Sequence, residues 1–242
     1  MLFSSKKNIV FIILAGIFIT NAVVAELIGS KLIQIGPFFG LGPFIMSIGI
    51  IPWPVVFLTT DIINEFYGKG GVRKLSFITA GLIAYAFIIL FFSIHVKAAP
   101  IAASVTDSQF NAVFGQSMWI IVASIIAFLT SQFVDVFIFW ALRDKTGGKM
   151  IWLRSTGSTV VSQLIDTFVV LGIAFWLPGK MTTSVFINAA LTGYTIKLII
   201  AVVLTPVIYL MHFIIDKYLG DAEAHQVIKQ SAEESLHHKV NE

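Results

Sequence analysis

The chain contains no cysteine, which excludes disulfides, thiolate metal sites and thiol nucleophiles. Charge is also scarce: 12% of the 242 residues are Asp, Glu, Lys or Arg, about half the share usual in a soluble domain. No HExxH, GxSxG or Walker sequence occurs, which disfavours metalloprotease, serine-hydrolase and self-powered ATPase chemistry. His95 and His212 sit near opposite ends of their apolar runs, so no Ser/His pair falls at one membrane depth. The expectation is a protein that is not an enzyme, with no catalytic residue, no metal site and no cofactor.

Apolar residues are abundant instead, at 57% of the chain, and the mean hydropathy is +0.91. They come in blocks near the ~20 residues needed to cross a ~30 Å hydrocarbon core. The blocks predict six transmembrane helices over 8–28, 43–62, 75–95, 118–142, 157–177 and 188–215. The expected fold is an all-α polytopic membrane protein with one membrane domain, and the bilayer as its first partner. Pro37, Pro43, Pro100 and Pro178 fall between the blocks, as expected of residues that cannot extend a helix. Lys6-Lys7, an apolar run and Val23-Val24-Ala25 also fit a cleaved signal peptide, but cleavage would leave five spans, and we read the first span as retained.

The isoelectric point near 9.1 does not imply nucleic acid, because the cations lie between the apolar blocks. Lys6, Lys7, Lys69, Arg73, Lys74, Arg143, Lys145, Lys149, Arg154, Lys217, Lys229 and Lys239 fall on one side of the six-span topology. Lys31, Lys97 and Lys180 fall on the other, and Lys197 lies inside the last span. By the positive-inside rule both termini are cytoplasmic. Residues 98–117 form the longest external connection, either at the interface or as a lid-like helix. The tail after Tyr218, with His237 and His238, reads as a solvated cytoplasmic segment with no metal role.

Ionisable and amide side chains inside apolar spans are costly and are functional candidates by default. Span one carries Asn21 and Glu26, span two Asp61, Asn64 and Glu65, and span six Lys197. Spans four and five repeat one pattern, SQFVDVF at 131–137 and SQLIDTF at 162–168. Gln132 and Asp135, like Gln163 and Asp166, lie at i and i+3 on one helix face. The antiparallel spans put Asp135 roughly 10 Å and Asp166 roughly 13 Å from the inner boundary, so neighbouring spans bring the two pairs to one depth. Hydrogen-bonded glue between helices is one reading, especially for Ser131 and Ser162. Two aspartates in one layer also ask for a cation, a proton or a ligand, with Arg154 the candidate structural cation.

Asp61, Asn64 and Glu65 share a face at the inner mouth of span two, where they bind something or pair with Lys69 and Arg73. Tyr67-Gly68-Lys69-Gly70-Gly71 reads as a turn and not as a phosphate loop. Lys197 must snorkel, pair with Glu26 or Asp166, or hold a ligand. IPWP at 51–54 predicts a break inside span two with carbonyls facing a cavity, a transporter habit. Trp53 at the break is either a stacking platform or packing.

Three runs in this order, FLTTDIINEFYGKGGVRK, SQFVDVFIF and WLRSTGSTVVSQLIDTFVV, resemble the queuosine precursor transporter family, also called vitamin-uptake-like, over about residues 8–215. Gly70-Gly71 depart from the more basic stretch expected after YGK. The resemblance implies a six-helix inner-membrane importer of 7-cyano- and 7-aminomethyl-7-deazaguanine, precursors of a tRNA modification. It also implies a helical arrangement similar to the substrate-binding subunits of energy-coupling-factor importers, working without an ATPase. The matching positions here are Asp61, Asn64, Glu65, Gln132, Asp135, Arg154, Gln163 and Asp166. The chemistry is compatible: a carboxylate accepts the two donors of a guanine-like edge, and an amide donates to its carbonyl. On this reading the two Gln–Asp pairs grip a deazapurine between aromatic faces such as Trp53 or Phe57. Proton coupling and a homodimer stay open. The alternatives are a substrate-capture subunit of an ATP-driven vitamin importer, an intramembrane enzyme or an assembly factor.

Overall fold

The computed structural model describes residues 5–36, 44–101, 104–115, 118–146 and 150–237; Pro37, Pro43, Lys149, His238 and Lys239 lie outside them. Helix α1 (Lys6–Ile28) leads into an antiparallel ribbon of β1 (Leu32–Ile35) and β2 (Phe44–Ser47), paired from Leu32↔Ser47 to Ile35↔Phe44. A 3-10 turn over Ile48–Ile50 then feeds α2 (Trp53–His95). A short helix α3 (Asp107–Phe114) lies within the expected external connection, 98–117, of which 102, 103, 116 and 117 are outside the described residues. Thr106 and Gln109 cap its N-terminus reciprocally, a capping box. Helix α4 (Met118–Thr146), α5 (Ile151–Leu171) with a π turn over Gly172–Trp176, α6 (Thr183–Leu219) and α7 (Asp221–His237) follow.

Among the described residues five stretches are long and apolar enough to cross a membrane: Lys6–Ile28, Ile48–His95, Ile120–Thr146, Ile151–Trp176 and Thr183–Leu219. Together with the inverted burial described next, they make this a multi-pass membrane protein. The second stretch covers the expected span 75–95 and, from Ile48 on, the expected span 43–62, whose residues 44–47 form β2 instead of helix. It is divided at Gly68, whose φ of 72° and ψ of −178° lie in a region open essentially to glycine alone. Thr60 and Phe77 flank that break, and they touch consecutive residues of α4: Gln132 meets Thr60 at 3.2 Å, and the Phe77 and Phe133 rings are 5.3 Å apart. A continuous helix would hold Thr60 and Phe77 roughly 25 Å apart, so the chain reverses at Gly68. Gly68→Ala is expected to lower stability by about 1–3 kcal/mol, read as a lower midpoint of thermal unfolding in detergent. An unchanged midpoint would show that the reversal does not need glycine.

Burial is inverted relative to a soluble protein. Phe91, Phe92, Val203 and Phe213 are exposed, whereas Thr60, Asp61, Asn64, Glu65, Gln132, Arg154, Ser158 and Gln163 are buried. Lipid solvates the apolar exterior, and the polar groups turn inward to bond one another. Helix α1 packs Leu14, Phe18 and Ala22 into the core that Val56, Ile62, Ile63 and Phe66 of α2 share. Helices α4 and α5 pair closely, as their short connection predicts. A Cβ on Gly157 would come within 2.9 Å of Leu142 Cδ1.

Three expectations need correction. The prolines of IPWP do not break a helix midway: Pro52 is the N-cap and Pro54 lies in the first turn of α2, where a missing N–H costs nothing. The change of backbone falls between the 3-10 turn and α2, with Ile50, Trp53 and Pro54 on the cavity wall described below. The glycine turn shrinks to Gly68, since Gly70 and Gly71 are helical. The tail after Tyr218 is not merely solvated, because α7 lies against α2 with Ala224, Val227 and Ser231 buried. Those positions recur at i, i+3 and i+7, an amphipathic stripe.

Candidate functional site

Three helices each give one stripe to a common cavity. On α2 the stripe is Trp53, Phe57 and Asp61; on α5 it is Ser155, Thr159 and Gln163; on α6 it is Lys197, Ala201, Leu204 and Ile208. Steps of three and four residues keep each set on one helix face. The cavity encloses about 510 Å³ of atom-free space, a volume that includes open solvent at its mouth. Trp53 stacks on Phe57, with ring centroids 5.8 Å apart and planes 16° from parallel, and also contacts Phe128.

The cavity's polar atoms are only partly satisfied within the protein. Asp61 accepts a hydrogen bond from Ser155 Oγ at Oδ2, while its Oδ1 makes none. Gln163 is 1% exposed, and neither its Oε1 nor its Nε2 has a partner. Each unsatisfied buried polar group costs about 1–3 kcal/mol, and native interiors rarely keep one without a reason. Lys197 Nζ bonds Asp166 Oδ2 at 2.7 Å, both side chains partly buried, so the last span's cation pairs with one of its two expected partners. Asp166 itself does not line the cavity.

The two SQxxD segments do not converge on one space. Ser162 turns to α4 and donates to Asp135 Oδ1 at 3.0 Å, Gln163 turns to the cavity, and Asp166 turns to α6. Gln132 meets Thr60 of α2, and neither Gln132 nor Asp135 lines the cavity. Asp61 is an electrostatic neighbour of Asp135. This layer lies behind the cavity wall and holds α2, α4 and α5 together.

A third group closes the other end. Arg154 lies inside α5 rather than before it, 2% exposed, and donates to Glu65 Oε2 at 2.7 Å. Arg154 is also an electrostatic neighbour of Asp61, while Glu65 finds a cation across the α2–α5 interface. Arg143 approaches the same oxygen at 3.7 Å and covers the Trp140 ring. Trp140 Nε1 donates to Asn64 Oδ1 at 3.3 Å, and Lys69 lies over that ring too. Helix α7 seals the group: Ser231 Oγ donates to the Glu65 carbonyl at 2.9 Å and Arg143 reaches the Ile228 carbonyl at 3.4 Å.

Of the eleven residues singled out in the sequence, Trp53, Asp61, Gln163 and Lys197 line the cavity. Gln132, Asp135 and Asp166 stand behind it, while Asn64, Glu65 and Arg154 form the closing group. Asn21 is half-buried and turns back to the Ile17 carbonyl of its own helix. The hydroxyls of Ser155, Thr156 and Thr159 were missed. The spacing of Ser155, Thr159 and Gln163 at i, i+4 and i+8 is the signal that would have found them.

Comparison with known proteins covers this whole site. The family model "Putative vitamin uptake transporter" matches residues 47–211, which include every cavity-lining residue and exclude α7. The chain is 30% identical over 170 residues to the "Probable queuosine precursor transporter" of Bacillus subtilis, covering 67% of this chain and 70% of that one. It is 30% identical over 159 residues to the "Queuosine precursor transporter" of Escherichia coli, covering 64% and 67%. It is 25% identical over 166 residues to a protein of the same kind from Haemophilus influenzae, covering 64% and 63%. No solved structure matches the chain. A model match spanning most of the chain and relatives of this identity lead to one conclusion: the chain belongs to the vitamin uptake transporter family.

Proposed function

We propose that this protein imports queuosine precursors, 7-deazaguanine bases, across the cell inner membrane by secondary or facilitated transport and without catalysing a reaction. The relatives named as queuosine precursor transporters support the substrate class. The observation that carries the reading to a site is the unpartnered polar set in an aromatic-walled cavity: Asp61 Oδ1 and both amide atoms of Gln163.

A 7-deazaguanine presents a ring N–H and a 2-amine side by side, with a carbonyl beyond them. Asp61 accepts the two donors while Ser155 steadies its other oxygen, and Gln163 or a neighbouring hydroxyl donates to the carbonyl. Trp53 and Phe57 supply flat apolar surface for the bicycle, as do pockets that hold an extruded base. The arrangement differs from a grip by both SQxxD pairs, since only one amide of that set reaches the cavity.

The topology we propose has six spans and both termini cytoplasmic, with α2 forming two spans that meet at Gly68. A continuous helix of that length would run roughly 65 Å, twice the hydrocarbon thickness, and the reversal at Gly68 removes the excess. Lys69, Arg73 and Lys74 then fall on the cytoplasmic side.

Purified protein should be stabilised against heat by 7-cyano- or 7-aminomethyl-7-deazaguanine, by about 2.7 kcal/mol at a ligand concentration a hundredfold above Kd. Adenine and thymine should produce no shift. Equal stabilisation by adenine, or none by either deazaguanine, would overturn the proposal.

A further inference from the structure

We propose that Lys197 sets substrate selectivity: held at the cavity wall by Asp166, its ammonium favours 7-deazaguanines whose 7-substituent is a neutral acceptor, such as a nitrile, over those carrying a cationic aminomethyl group. The inference rests on the reading of the cavity as a 7-deazaguanine site.

The cavity has two unlike poles. Asp61 follows Trp53 on α2, and Ser155 precedes Gln163 on α5, by eight residues in each case, or about 12 Å along a helix axis. Because α2 and α5 run antiparallel, Asp61 and Ser155 share one end, where they are hydrogen-bonded. Trp53 and Gln163 share the other end. Lys197 belongs to this second pole, since its partner Asp166 lies one turn beyond Gln163. One pole is therefore a hydrogen-bond acceptor, and the other offers the Gln163 amide N–H and the Lys197 ammonium as donors.

A 7-deazaguanine is polarised in the same sense. Its 2-amine and ring N–H lie at one side, and its carbonyl and 7-substituent lie together at the other. With the donors on Asp61, the carbonyl and the 7-substituent face Gln163 and Lys197. A nitrile nitrogen accepts from either. A protonated aminomethyl group brings a second cation against Lys197 in a poorly solvated space, which is repulsive.

Reversing the ligand does not rescue the cation. Among the described lining residues Asp61 is the one carboxylate and Lys197 the one cation. A ligand with both a two-donor edge and an ammonium needs two carboxylates. If Asp61 takes the ammonium, the two ring donors are left with the single Gln163 oxygen. Of the carboxylates beyond the lining, Asp166 is already occupied by Lys197 at 2.7 Å, and Glu26, an electrostatic neighbour of Asp166 that hydrogen-bonds Ser124, does not line the cavity.

The test is direct binding of 7-cyano- and 7-aminomethyl-7-deazaguanine near neutral pH to purified full-length protein. The variants are Lys197→Met, Lys197→Arg and the double substitution Lys197→Met with Asp166→Asn. The double variant removes both charges, so that no partly buried carboxylate is stranded if the single variant folds poorly. The wild type is expected to prefer the nitrile by about tenfold or more. The preference should persist in Lys197→Arg and fall to about threefold or less in the double variant. Equal affinities in the wild type, or an undiminished preference in the double variant, would overturn the selectivity role and leave the deazaguanine site standing. Binding of neither base by the wild type would overturn both.

Discussion

Arg154→Met is expected to destabilise the protein by about 3–5 kcal/mol, the usual result of stranding one partner of a buried ion pair. Glu65 would remain 3% exposed with only the longer 3.7 Å approach of Arg143 to offset its charge. A midpoint of thermal unfolding in detergent should fall by on the order of 10 °C. Replacing both partners, Arg154→Met with Glu65→Gln, should recover a large part of the loss, because a neutral pair leaves no isolated charge in the interior. The coupling energy of the double-mutant cycle is then well above the few tenths of a kcal/mol expected of independent sites. Additive losses would mean that Arg154 acts through its packing on Phe139, 5.6 Å away, and not through Glu65. Limited proteolysis gives a second readout. Glu65 receives α7 through its carbonyl, so cleavage near Lys229 should accelerate in Arg154→Met and slow again in the double variant.

Asp61→Asn should separate function from stability in the opposite direction. On the proposed reading Asp61 accepts two hydrogen bonds from the base, each worth about 1.5–3 kcal/mol when the acceptor is charged. Asparagine keeps the shape but turns one acceptor into a donor that faces the ligand's own donors. Affinity for either 7-deazaguanine should drop about a hundredfold or more, with uptake into reconstituted vesicles lost in parallel. The fold should be unharmed or strengthened. Asp61 is 4% exposed and has Asp135 as an electrostatic neighbour, and removing one of two buried carboxylates relieves both desolvation and repulsion. A variant that binds normally would remove Asp61 from the site. A variant that binds poorly and also unfolds early would make Asp61 structural.

The sequence disclosed the inventory of this interior better than its wiring. An Asp, Gln or Lys within twenty apolar residues is conspicuous, so Asp61, Gln163 and Lys197 could be singled out from composition alone. The pairing of Lys197 with Asp166 was within reach, because an intramembrane cation requires one of few partners. Which face each residue presents was not, because that depends on how neighbouring helices are rotated. The i, i+3 rule put Gln163 and Asp166 on one face, yet a helix face is wide enough for Gln163 to meet the cavity and Asp166 to meet α6. Hydropathy starts span five at 157, six residues after the helix begins at Ile151, and so leaves Arg154 outside it. The polar first turns of α5 are helical because they bury Arg154 and Ser155 against other polar groups, which no hydropathy window registers. IPWP misleads for a related reason: proline inside an apolar block looks like a break, but at the first turn of a helix it is a beginning.

Helix α7 also bears on the order in which the molecule is completed. Ser231 bonds the Glu65 carbonyl across 166 positions of sequence, and Ile228 receives Arg143 across 85. The ribosome makes α7 after every helix that it touches. Until then the end of the bundle around Glu65, Asn64 and Arg154 has no cover, so this face is finished only once the membrane-spanning part has been threaded.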